Sequence, residues 1–279
     1  MLLELAIGDA YGAGFEYAEA EFVHKNNTLS YHHHPKHLAI KAGMYTDDTQ
    51  MSLAIAELML EGKAWTEINL ADKFVDVFKR DEREGYATRF FHFLQQVQSG
   101  EEFLSAIHPT SEKSGAAMRA PVIGLLKDKQ EVLEKTEIQA MITHNTQDGI
   151  RAAKAAAMIV YYFLWEKGKK KDLHTYLKAH VKGDWTSRWT GKVGSKGCMS
   201  VRAAITALQE SASMGELLKR CIAYTGDVDT VAAIALAGAS VCPEFKNDLP
   251  GRLYNDLENG TYGKDYLKSL DQQLLSLMA

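Results

Sequence analysis

Two acidic corners, Thr46-Asp47-Asp48-Thr49 and Asp227-Val228-Asp229-Thr230, each lead into a long apolar stretch, 51–60 and 231–239. Asp and Thr are favoured as N-caps and in first turns, so both corners read as helix starts. The helix dipole tolerates one such cluster, but two brought together repel unless positive charge sits between them. Four carboxylates and two hydroxyls form an all-oxygen donor set suited to Mg²⁺. A two-ion centre would hold its ions about 3.5–4 Å apart. Ordinary capping would explain either corner alone, so the remaining segments decide between the two readings.

Gly8-Asp9-Ala10-Tyr11-Gly12-Ala13-Gly14-Phe15-Glu16 follows an apolar start and suggests a helix ending in a loop whose backbone passes close to something. Glu16 then becomes a neighbour for the acidic corners. The spacing fits neither a dinucleotide-binding nor a P-loop pattern. Lys113-Ser114-Gly115-Ala116-Ala117-Met118-Arg119-Ala120-Pro121 opens a helical run with small residues. Free backbone N–H groups there could cradle a phosphate, with Arg119 as an available cation. Thr143-His144-Asn145 reads as a further helix start ahead of the alanine-rich 150–163 stretch.

In this order the segments resemble the ADP-ribosylglycohydrolase family, of the dinitrogenase-reductase-activating and ADP-ribosylarginine hydrolase type. The stretches that carry the resemblance are GDAYGAGFE at 8–16, YTDDTQMSLA at 45–54, SGAAMRAPVIGLL at 114–126, THN at 143–145 and TGDVDTVAAIALAGA at 225–239. The resemblance implies a binuclear Mg²⁺ centre, with Mn²⁺ as a substitute, held by Thr46, Asp47, Asp48, Asp227, Asp229 and Thr230. It puts Glu16 beside the metals and the scissile bond. It gives Ser114, Gly115, Ala116 and Met118 to the diphosphate loop, and His144 to the ADP-ribose cleft. The chain has Lys113-Ser114-Gly115 where the family has Gly-Asn-Gly, and Thr225-Gly226-Asp227 where it has Gly-Gly-Asp.

The implied reaction is hydrolysis of the bond joining ADP-ribose to an acceptor, with arginine of a modified protein first among the acceptors. Serine- and acetyl-linked ADP-ribose need the same ribose and diphosphate grip. An oxocarbenium-like transition state puts positive charge on the sugar as the leaving group departs. Glu16, or a carboxylate of the Asp47-Asp48 pair, would orient or deprotonate the attacking water.

Positioning these residues falls to helices. The chain of 279 residues has only five prolines and many Ala, Leu, Lys and Glu, and shows no linker or charge boundary. A single all-α domain, an orthogonal multi-helix bundle over 1–279, is expected. Helices are predicted over 2–11, 48–61, 67–81, 85–98, 101–106, 115–127, 131–142, 147–167, 172–180, 198–210, 215–223, 229–240 and 264–277.

A net charge of −4 disfavours a nucleic-acid surface, and three scattered cysteines make neither a disulfide framework nor a zinc site. A cytoplasmic monomer is expected, without membrane attachment, acting on an ADP-ribosylated protein or a small ADP-ribose conjugate. His32-His33-His34 with His37 reads as a mobile polar loop rather than a metal site. Trp185 and Trp189 among Lys182, Arg188 and Lys192 read either as a partner-contacting loop or as anchors of a surface loop. Two rival functions remain. Asp227-Val228-Asp229-Thr230-Val231 fits the pattern of aspartyl-phosphate phosphatases, which requires a preceding strand. A non-catalytic ADP-ribose binder would have no need of the complete acidic set.

Overall fold

A computed structural model describes residues 1–278. Its helices are α1 (Leu2–Ala13), α2 (Ala20–Asn26), α3 (Asp47–Glu61), α4 (Glu67–Arg80), α5 (Thr88–Gln96), α6 (Gly100–Ala106), α7 (Gly115–Met118), α8 (Lys129–His144), α9 (Gln147–Leu164), α10 (Leu173–His180), α11 (Gly197–Glu210), α12 (Met214–Ala223), α13 (Val228–Ser240), α14 (Gly251–Asn255) and α15 (Lys264–Met278). Among the described residues β-pairing is confined to isolated bridges. The all-α expectation therefore holds.

Most of α13 is buried on every side, which its Val, Ile, Leu and Ala content permits, and α1, α9, α11 and α12 pack around it. The closest crossing is with α1. A Cβ at Gly12 would lie 2.3 Å from Asp229 Cα, and one at Gly8 would lie 2.5 Å from the Ala232 carbonyl oxygen. These glycines do not end α1; it runs on to Ala13. The absent side chains let two helix backbones touch.

Gly12→Ala is therefore expected to lower stability by about 1–3 kcal/mol or more through overpacking, and to displace Asp229. Gly260→Ala, whose Cβ meets nothing within 4 Å, should leave the melting temperature unchanged. Equal melting curves for the two variants would contradict this account.

Two predicted elements differ. The 115–127 helix stops at Met118 and continues as a 3-10 turn, Ala120–Leu125, because Pro121 has no N–H to continue the ladder. His144 closes α8 instead of opening a helix; α9 begins beyond it, capped by Thr146, whose side chain accepts from Gly149 N. The short α2 and α14 are absent from the sequence expectation, since neither is long enough to show a period. No helix among the described residues is long and apolar enough to cross a membrane.

Candidate active site

Thr66, Ser99, Asp128, Thr146 and Ser213 each cap a helix with a side-chain oxygen. Thr46 and Asp227, at the N-caps of α3 and α13, make no side-chain cap bond. Capping alone does not account for the two acidic corners.

What orders the first corner is Asp9 of α1, a fully buried carboxylate that the sequence reading passed over. Its oxygens accept from Thr46 N (2.9 Å), Thr46 Oγ1 (2.7 Å), Thr49 N (2.9 Å) and Thr49 Oγ1 (2.5 Å). Asp9 thus caps α3 from a different helix, which leaves Asp47 and Asp48 free to turn elsewhere. The Thr46 hydroxyl gives its proton to Asp9 and keeps its lone pairs for another partner.

The second corner rests on a tight turn. Thr225 and Gly226 both have positive φ, 61° and 94°. This is costly for a β-branched residue and marks the place where the family pattern has glycine. Val193 pins the turn, donating to Thr225 O (2.9 Å) and accepting from Asp227 N (3.1 Å). Next along the same loop, Ser195 O accepts from Ser114 N (3.0 Å). The 193–197 segment below the tryptophans therefore stitches the second corner to the 114–118 loop. Trp185 itself is buried and anchors the loop.

The corners converge. Oxygens of Glu16, Asp227 and Asp229 lie within 4.8 Å of one another. Burial, then Asp9, Asp47 and Asp227, holds the Asp48 carboxyl well above its usual range. Asp229 is pushed up by burial, Glu16 and Asp48, and Asp47 by burial, Asp9 and Glu16. Asp227 rises to about 6, mainly from burial and Glu16, although hydrogen bonds from Ser114 and Ser200 draw it back. One oxygen each of Asp48 and Asp229 is buried without a partner. Mutually repelling carboxylates with unpartnered buried oxygens are a donor set for a cation, and their all-oxygen chemistry fits Mg²⁺.

The residues expected on the substrate side, the 114–118 loop and His144, also lie together, and two readings change. Arg119 is not a free cation: its guanidinium is buried and donates to Gln139 Oε1 (2.6 Å), Gly115 O, Gln139 O and Thr143 Oγ1 (2.9 Å). Burial lowers it to about 9. Its effect passes through Thr143. Having accepted from Arg119, the Thr143 hydroxyl directs its proton to His144 Nδ1 (2.7 Å), which leaves the hydrogen on Nε2. That Nε2 is buried without a partner beside Gly115. Burial and Arg119 depress His144 to about 3, so it stays a neutral donor.

The second correction concerns the histidine run. His34 is buried, and its Nε2 lies 2.7 Å from Glu16 Oε2. His34 ties this loop to Glu16.

The sequence profile of the family described as ADP-ribosylglycohydrolase matches residues 1–279. The chain belongs to the ADP-ribosylglycohydrolase family. Among curated relatives it is 30% identical over 129 residues to "ADP-ribosylhydrolase ARH3" of Xenopus tropicalis, a match to 43% of this chain and 37% of that protein. It is 22% identical over 260 residues to "ADP-ribosylarginine hydrolase Tri1" of Serratia proteamaculans, covering 85% of this chain and 69% of that one. The chain thus spans under two fifths of the first relative's length. A solved "ADP-ribosylglycohydrolase-related protein complex" chain shares the fold at TM-score 0.77 and 22% identity, over 100% of this chain and 96% of that one. Membership fits the site: Asp227 follows helix α12 and opens helix α13, whereas the phosphatase pattern needs a strand there.

Proposed function

We propose that this ADP-ribosylglycohydrolase-family chain is a Mg²⁺-dependent hydrolase that releases ADP-ribose from an acceptor, with arginine of a modified protein as the first acceptor. The observation that carries this reading is the convergence of Glu16, Asp227 and Asp229, with Asp48 repelled by Asp227, and the unpartnered buried oxygens of Asp48 and Asp229. The longer curated match, to an ADP-ribosylarginine hydrolase, favours the arginine linkage. The match to ADP-ribosylhydrolase ARH3 keeps O-linked conjugates in the test. The three free cysteines fit a reducing, cytoplasmic setting.

Thr46, Asp47, Asp48, Asp227, Asp229 and Thr230 would hold Mg²⁺, with Glu16 as a further carboxylate of the same cluster; the ion when bound supplies a grip on ribose hydroxyls and a more acidic water. Glu16, or a carboxylate of the Asp47-Asp48 pair, takes the proton of the attacking water. Ser114, Gly115, Ala116 and Met118 line the diphosphate side. There His144 donates Nε2–H to a phosphate oxygen and so ends its isolation.

The test is release of ADP-ribose from arginine-, serine- and acetyl-linked substrates, with Mg²⁺ and with chelator. Mg²⁺-dependent release from at least one linkage, the arginine substrate fastest, is expected. Tight binding of ADP-ribose without turnover on any substrate would make the chain a binder, and equal rates in chelator would remove the metal.

A further inference from the structure

Glu16 sits just beyond the end of α1 with its side chain about one-fifth exposed, opposite Asp227 and Asp229. Repulsion from those carboxylates favours swinging a flexible glutamate out into water. His34 opposes that motion. Its Nδ1 accepts from the backbone N–H groups of Lys36 and His37, each at 3.0 Å, so the ring hydrogen lies on Nε2 and is donated to Glu16 Oε2.

The turn that carries the ring is held from several directions. His34 N donates to Ile40 O (3.1 Å), and Ile40 N to His37 O (3.0 Å). His37 Nδ1 in turn meets Glu84 Oε2 at 3.2 Å. Glu84 adjoins Gly85, where a Cβ would strike Thr46 and Asp47. One short turn thus ties Glu16 to the segment packed against the first acidic corner.

We propose that His34 is a positioning residue: its Nε2–H fixes the Glu16 carboxylate toward Asp227 and Asp229, and thereby completes the divalent-cation site. This rests on the metal-dependent reading above. Partners of this kind, one bond removed from the ion, typically change metal affinity or activity about 10–100-fold when lost.

The test reads metal binding alone: Mn²⁺ titration of the full chain, followed by electron paramagnetic resonance, without substrate. His34→Phe should weaken Mn²⁺ binding about 10–100-fold. His34→Gln, which keeps an N–H donor, should restore most of it. In a Glu16→Gln background, His34→Phe should change affinity less than about twofold, because its effect acts through Glu16. Circular dichroism and melting curves accompany each variant. An unchanged affinity in His34→Phe overturns the proposal, as does an equal loss with and without Glu16, since that would show a general effect on the fold. A wild-type chain that binds no Mn²⁺ overturns both this inference and the metal-dependent function. Binding without ADP-ribose release overturns only the latter.

Discussion

Asp229→Asn is expected to abolish ADP-ribose release, on the order of 10³-fold or more, and at the same time to raise the melting temperature of the chelated protein. Losing a ligand of a catalytic cation removes several kcal/mol of transition-state stabilisation, and each ~1.4 kcal/mol is tenfold in rate. The stability gain has the opposite origin. Burial and the neighbouring Glu16, Asp48 and Asp227 push the Asp229 carboxyl well above its ordinary value, so its charged form opposes folding.

The sign follows from proton linkage. For an acid whose folded pKa is raised, the folded state holds more protons between the unfolded value, about 3.9, and the folded one. Stability present at low pH is therefore lost as pH rises through that window. For Asp227 the window closes near 6, and Asp47, Asp48 and Asp229 are raised in the same direction by burial and their neighbouring carboxylates. Chelated wild-type protein should melt lower at pH 8 than at pH 5, and Mg²⁺ should recover the loss, by about 2.7 kcal/mol at 100 times its Kd. Asp229→Asn should flatten this pH dependence. Turnover within about tenfold of wild type would remove Asp229 from the cation site, and a variant that melts below wild type in chelator would show that the repulsion described here does not exist.

Asp9→Ala should unfold a large share of molecules at modest denaturant. Removing this side chain strands the backbone N–H groups of Thr46 and Thr49 and both hydroxyls in a buried space. Each buried orphan costs about 1–3 kcal/mol, and the sum competes with the whole stability of an ordinary domain, about 5–15 kcal/mol. Burial also pushes the Asp9 carboxyl up, which offsets part of the loss. Asp9→Asn separates the two effects. If Asp9 mattered chiefly as one more repelling charge, the amide would stabilise the fold; because it serves as an acceptor for converging donors, the amide N–H₂ meets them head-on and destabilises it. Urea unfolding of both variants in chelator reads the difference, and a more stable Asp9→Asn would refute the acceptor role.

The start of α3 and α13, and the acidic residues on them, could be read from the chain because each signal is local: a cap residue, a carboxylate pair, an apolar run. Asp9 could not be read this way. Its partners lie 37 and 40 positions away, and a single aspartate between glycines carries no sign of them. His34 was hidden by its neighbours, since three histidines in a row share one composition while only the buried one meets Glu16. The glycines of α1 signalled a close approach but not its target, which is the backbone of α13. His144 fell at the wrong end of a helix because Asn145 interrupts α8 and α9 without a glycine or proline to mark the break.

The touching backbones of α1 and α13 also bear on how the protein comes into being. α13 begins at residue 228, more than 200 residues after α1, so a chain emerging from the ribosome makes α1 long before the surface that covers it exists. Until then the narrow glycine face of α1 has no mate, and Glu16 stands without Asp227 and Asp229, which it faces. Such distant pairings close late and slowly. Nascent or truncated chains should accordingly be inert, and the appearance of turnover during synthesis would time the arrival of α13.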